Sequence, residues 1–181
     1  DYCFYGCPIT ELVLPNSITS LGDYCFAECS FTELDLPDSI TSVGNYCFGA
    51  NLEKLEIPKI ERLNARTLDN CSNLKKLIIP DTVTTIEKGA LAGCINLEEL
   101  TIPLVGGNVN PIENDKSVCF GYIFEDVTNY YHNSFPPYEK QWTGGDRYDN
   151  SSFIECDIPA SLKKIKITGG KINFGAFYFE E

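Results

Sequence analysis

ELVLPNSITSLGDYCF, residues 11–26, returns as ELDLPDSITSVGNYCF at 33–48. Looser copies follow: KLEIPKIERLNARTL (54–68), KLIIPDTVTTIEKGAL (76–91) and ELTIPLVGG (99–107). The prolines that anchor them are Pro15, Pro37, Pro58, Pro80 and Pro103, in steps of 22, 21, 22 and 23 residues. An altered copy, SLKKIKITGGKINFGAFYF, stands at 161–179.

A period of about 20–29 residues around a Leu-x-(Leu/Ile) core marks a leucine-rich-repeat solenoid. Each unit opens on a short strand: Leu12-Val13-Leu14, Leu34-Asp35-Leu36, Leu55-Glu56-Ile57, Leu77-Ile78-Ile79 and Leu100-Thr101-Ile102. Strand side chains alternate, so the outer two residues point inward and the middle one outward. Val13, Asp35, Glu56, Ile78 and Thr101 then form an exposed row on a parallel sheet. Proline closes each strand because it has no N–H for the ladder. A second apolar pair packs from the opposite wall: Ile18 and Leu21, Ile40 and Val43, Val83 and Ile86. A compact turn follows, at Cys3-Phe4, Cys25-Phe26, Cys47-Phe48, Thr67-Leu68 and Ala90-Leu91. No segment sustains the i, i+3, i+4 periodicity of a full helix. The expected fold is a β-rich right-handed coil with a parallel sheet on one face and short 3-10 or helical turns.

The rhythm breaks after Pro103. Leu162 and Ile165 answer Leu97 and Leu100 at a step of 65 residues, which implies an insertion of about 42. The organisation read from this is one domain over 1–181. Regular repeats fill 1–103, an aromatic- and Gly-rich insertion fills 104–158, and the repeat resumes at 159–181. The chain opens and closes in mid-repeat without the polar caps that solenoids need, so it is expected to be a fragment of a longer array. Ten aromatics crowd between 117 and 155. Most are expected to fold the insertion onto the array. Tyr130, Tyr131, Tyr138 and Trp142 are the candidates for an exposed contact patch, because Tyr and Trp bring large contact area at low entropy cost.

Net charge is −12, which argues against nucleic acid and against anionic membrane surfaces, since both are held by Lys and Arg. No run is long enough to span a membrane as a helix. Nine cysteines are present. Cys3, Cys25 and Cys47 form one repeat-equivalent row; Cys7, Cys29, Cys71 and Cys94 form another, with Ala50 in the equivalent place. Cysteines that exchange with Ala and Thr behave as small core residues. Disulfides between neighbouring coils are the competing reading, and Cys119 and Cys156, outside both rows, suit a bridge best. There is no CxxC pair and one histidine, His132, so no metal centre and no cofactor is expected. GGNVN (106–110) and TGGDRYDN (143–150) offer oxygens to Ca²⁺ without an EF-hand spacing. Sequons stand at Asn70 and Asn150. No catalytic fingerprint occurs, and the chain is read as a non-enzyme.

The pattern L-x-x-L-x-(I/L)-P-x-(S/T)-(I/V)-T-x-(I/L/V)-G, followed by (C/A)-F-x-x-C, resembles the BspA-like, treponemal-type leucine-rich repeat. CFGYIFE (119–125) and the segment 158–179 are similar to an irregular unit found between repeats in bacterial members. Cys3, Cys25 and Cys47 depart from the family's usual Ala. The resemblance implies a cell-surface or secreted location and adhesion to extracellular host or cell-surface proteins. Two alternatives accompany it: a spacer that holds another domain away from the cell, and a carbohydrate-binding unit that uses the aromatic insertion.

Overall fold

The computed structural model describes residues 1–103, 120–124, 138–143, 154–169 and 177–179. The main sheet is parallel and contains β3 (Lys54–Glu56), β5 (Lys76–Ile78), β7 (Glu99–Ile102) and β10 (Lys164–Ile167) in the order β10-β7-β5-β3. Its register stacks Leu55 on Leu77, Leu77 on Leu100 and Leu100 on Ile165. Coil two joins through a single bridge, Glu33 to Lys54. Leu12–Leu14 and Leu34–Leu36, expected as strands, are not ladder strands. The regular strands begin one residue before the leucine. The reason is visible in the bonds: Lys76 and Glu99 donate their N–H groups to Glu53 and Lys75 at 3.2 and 2.9 Å.

The opposite wall is made of two-residue strands. β1 (Ser20–Leu21) pairs with β2 (Ser42–Val43), and β4 (Arg62–Leu63) pairs with β6 (Thr85–Ile86), both parallel. In the third coil Ile60 and Leu63 fill the places of Ile40 and Val43, at 1% and 0% exposure. Between the walls lies one core cluster, running from Leu21 through the leucine column to Ile158. Cys25, Cys29, Cys47, Cys71 and Cys94 are buried in it, and these five, with Cys3 and Cys7, are free thiols. Two of the thiols donate to carbonyls of a neighbouring coil, Cys29 to Phe4 and Cys94 to Leu68. Burial pushes the Cys47, Cys71 and Cys94 thiols well up, because a thiolate cannot be solvated there. Cys119 lies outside the described residues.

Side chains tie coil to coil. Asn51, Asn73 and Asn96 occupy one column, and the Nδ2 groups of Asn51 and Asn96 donate to Cys29 and Ser72 carbonyls at 2.8 Å each. Ser161 takes the next place, 65 residues after Asn96, and its Oγ reaches the Ile95 and Leu97 carbonyls at 2.9 and 2.7 Å. Gly44 leaves room for the Asp23 carboxylate, which accepts from the Asn45 N–H at 2.8 Å; a Cβ at Gly44 would overlap that carboxylate.

A 3-10 turn at Phe120–Ile123 returns the chain to the repeat. Gly89 and Leu91 donate their N–H groups to the Tyr122 and Ile123 carbonyls at 3.1 and 2.8 Å, as Tyr24 and Phe26 donate to Asn45 and Cys47. Phe120, Ile123 and Phe124 are buried in the common core. Tyr122-Ile123-Phe124 therefore stands where Tyr46-Cys47-Phe48 stands three coils earlier in the column of turns. The extra residues fall on both sides of it. Ile79 to Gly89 is 10 residues and Ile102 to Tyr122 is 20, an excess of 10; Leu91 to Leu100 is 9 and Phe124 to Ile165 is 41, an excess of 32. Further on, β8 (Tyr138–Thr143) is the middle strand of an antiparallel sheet between β9 (Ile154–Pro159) and β11 (Phe177–Phe179). No helix among the described residues is long and apolar enough to cross a membrane.

Candidate protein-binding surface

The outward strand face carries two parallel rows, because alternation sends every second residue of each strand to solvent. The first row is Glu11, Glu33, Lys54, Lys76, Glu99 and Lys164. The second is the expected row, Val13, Asp35, Glu56, Ile78 and Thr101, continued by Lys166. Val13 is 92% exposed, Asp35 and Glu56 are exposed, and Ile78 and Thr101 are half-buried. These five residues share one face, with coils spaced about 4.8 Å apart.

The charges on this face are unevenly paired. Lys76 and Lys164 flank Glu99 at 3.2 and 3.7 Å, and the Lys76 hydrogen bond, helped by the Lys164 charge, holds the Glu99 carboxyl below its usual range. Beside the rows, Lys75 meets Glu53 at 2.9 Å and Lys163 meets Glu98 at 3.2 Å. Glu11, Glu33, Asp35 and Glu56 make no ion pair among the described residues. The first three coils thus present four unpaired carboxylates around the exposed Val13, while the far end is basic through Lys163, Lys164 and Lys166.

A second row lies along the turns. The rings of Tyr2 and Tyr24, and of Tyr24 and Tyr46, stack at centroid distances of 4.7 Å with interplanar angles of 8° and 4°. The Arg66 guanidinium lies 5.8 Å from the Tyr46 centroid and pairs with Asp69 at 3.0 Å. Tyr2, Tyr24, Tyr46 and Arg66, and Gly89 after them, hold φ between 53° and 67°, a left-handed conformation repeated at the same place in these five successive turns. That twist turns Tyr to the outer edge while the Cys-Phe pair after it enters the core. At the first turn, Tyr5 donates its hydroxyl to Glu28 at 2.7 Å, which pushes the phenol pKa up. Sequence reasoning missed this row. Its signal was present in DYCF, DYCF and NYCF at 1, 23 and 45, a spacing that equals one coil.

Of the aromatic candidates, Tyr130 and Tyr131 lie outside the described residues. Tyr138 and Trp142 are positions of β8, opposite Pro159 and Glu155 of β9. Among the described residues, no group of three or more His, Cys, Asp or Glu is placed to hold a metal ion. Both Ca²⁺ candidate loops, GGNVN and all of TGGDRYDN beyond Thr143, fall outside the described residues, as does His132.

A model of the BspA-type leucine-rich repeat region matches residues 1–116 in six copies. The chain belongs to the BspA-type leucine-rich repeat family. BspA-type repeats account for the solenoid described above; the resumed coil at β10 lies beyond the matched residues and is assigned by its pairing with β7. No curated protein and no solved structure matches the chain.

Proposed function

We propose that this BspA-type array is a non-catalytic protein-interaction module of a cell-surface or secreted adhesin. The observation that carries the reading is the strand face of the first three coils, where Glu11, Glu33, Asp35 and Glu56 stand unpaired beside exposed Val13. Elsewhere on that face Lys76 and Lys164 share Glu99, and Lys54 is the one basic residue of the rows among the four acids, so this end keeps a net negative field. Such a field suits a basic, partly apolar surface on an extracellular protein and raises its rate of encounter more than its final affinity. Contacts of this kind are weak singly and gain strength when several arrays engage together.

Biolayer interferometry against fibronectin, fibrinogen, laminin, collagen and mucin tests the reading. The double variant Asp35→Lys, Glu56→Lys is expected to abolish saturable binding with its urea midpoint unchanged. Binding kept in that variant but lost when Tyr130, Tyr131 and Trp142 are changed to Ala moves the site to the aromatic segment. Absence of binding to the whole panel refutes the adhesive reading for this segment and supports a spacer.

A further inference from the structure

We propose that Tyr24 and Tyr46 form an oxidative cross-linking site, at which a haem peroxidase and hydrogen peroxide join the two phenol rings. The rings stack at a centroid distance of 4.7 Å with an interplanar angle of 4°. Both side chains leave the backbone from the same left-handed conformation, at φ 55° and 53°. The turns beneath them are bonded in series: the Tyr24 N–H donates to the Asn45 carbonyl at 3.0 Å, and the Tyr46 N–H to the Arg66 carbonyl at 2.8 Å. One turn is therefore the other moved along the coil axis, and each ring carbon lies opposite its counterpart. Both tyrosines are half-buried, within reach of an oxidant, whereas Cys25 and Cys47, which follow them, are buried.

Partial burial, and after it the Tyr46 phenol alongside, push the Tyr24 pKa up, so Tyr24 is a neutral phenol at ordinary pH. Each phenol gives up one electron and its hydroxyl proton, which leaves two tyrosyl radicals. The two electrons and two protons reduce one hydrogen peroxide to two waters. The radicals pair through the ring carbons next to the hydroxyls and form one carbon–carbon bond. The protons on those two carbons then move to the oxygens, and both phenols are restored. Radicals held in a stack meet each other before they meet another molecule, because a preset geometry acts as a high local concentration.

The neighbouring contacts are less suited to coupling. Tyr2 and Tyr5 are tilted at 57°. Tyr2 also stacks on the other face of Tyr24, at 4.7 Å and 8°. Tyr46 is the steadier partner, because Tyr24 holds one face of its ring and the Arg66 guanidinium, 5.8 Å from the centroid, approaches the ring as well. Arg66 has no ring carbon to couple, so the row of phenols stops there. The new bond ties turns 22 residues apart and constrains the unfolded chain as a disulfide does. It leaves Glu33, Asp35 and Glu56 on the strand face untouched, so the array is hardened while its contact surface is kept.

The full chain is treated with a haem peroxidase and a limiting dose of hydrogen peroxide, then digested in reductant with a glutamate-specific protease. Cleavage after Glu11, Glu28, Glu33 and Glu53 puts Tyr24 in the peptide 12–28 and Tyr46 in 34–53. Mass spectrometry is expected to find these two peptides joined and lighter by two hydrogen atoms, and reductant excludes a Cys25–Cys47 disulfide as the link. The treated chain is expected to show a higher urea midpoint. Tyr46→Phe keeps a stacked ring without the phenol, and is expected to lose both the joined peptides and the rise in midpoint. An equimolar mixture of the free peptides 12–28 and 34–53, which has no stack, is expected to couple at least about tenfold less. The proposal is overturned if the folded chain yields no such product or if the free peptides couple as readily. It is overturned as well if Tyr24 is found joined to the peptide 1–11 instead.

Discussion

Truncating Leu77 to Ala tests the inward column at its centre. The side chain is fully buried and sits between Leu55 and Leu100 in the ladder register. Three carbons leave the core, a transfer loss of about 2.4 kcal/mol at ~0.8 kcal/mol per buried methylene. Collapse onto the void is opposed by the backbone on both sides. Lys75 is bonded to Glu53 at 2.8 Å, and the Ile57 and Ile79 N–H groups to the Ile78 and Thr101 carbonyls at 2.9 and 2.8 Å. The cavity therefore persists and brings the total to about 3–4 kcal/mol, within the usual range for buried leucines. Leu34→Ala, also in the column and buried, belongs in the same ~2–5 kcal/mol class. Ile78→Ala, one residue away and half-buried on the outward face, costs under ~1 kcal/mol. A one-residue slip would exchange the two faces and reverse this order. Urea unfolding followed by far-UV circular dichroism, with the denaturant slope checked for constancy, measures all three. The reasoning fails if Leu77→Ala costs less than ~1 kcal/mol, or if Ile78→Ala costs as much as Leu77→Ala.

Three further outcomes probe the turns and the thiols. Tyr46→Ala removes one ring stack and the Arg66 contact, about 1–2.5 kcal/mol together, and keeps a side chain at φ 53°. Tyr46→Gly loses the same contacts but relieves the left-handed conformation, so it is expected to be about 1 kcal/mol more stable than the Ala variant; equal melting of the two would sink the account. Cys3 and Cys7 are expected to alkylate first in the native chain, ahead of buried Cys47, Cys71 and Cys94. The folded pKa values of those three lie above the unfolded one, so their contribution is intact below about pH 8.5 and is lost as pH rises, by ~1.4 kcal/mol per unit for each thiol. Urea midpoints that do not fall between pH 8 and pH 10, in the presence of reductant, contradict this.

The sequence by itself determined the inward leucine column, the prolines after the strands, the opposite wall and the step from Leu100 to Ile165. In a solenoid each coil contacts only its neighbours, so a period in the chain becomes a column in space. Alternation about each leucine also made the outward row legible, from Val13 to Thr101. Tertiary structure decided what depends on the neighbour one coil away. DYCF repeats openly, yet only the left-handed φ at Tyr2, Tyr24 and Tyr46 turns the rings out of the core and onto one another, with Arg66 closing the stack. Ile60 and Leu63 were hidden by a looser copy, and only pairing with the fourth coil revealed Leu63 as a wall residue. YIF at 122–124 resembles YCF weakly, and the Gly89 and Leu91 hydrogen bonds place it in the column of turns. The free charge of the strand face was hidden for the same reason. Adjacent lysines Lys75 and Lys76 reach opposite ways, to Glu53 and to Glu99, and only that geometry leaves Glu11, Glu33, Asp35 and Glu56 unneutralised.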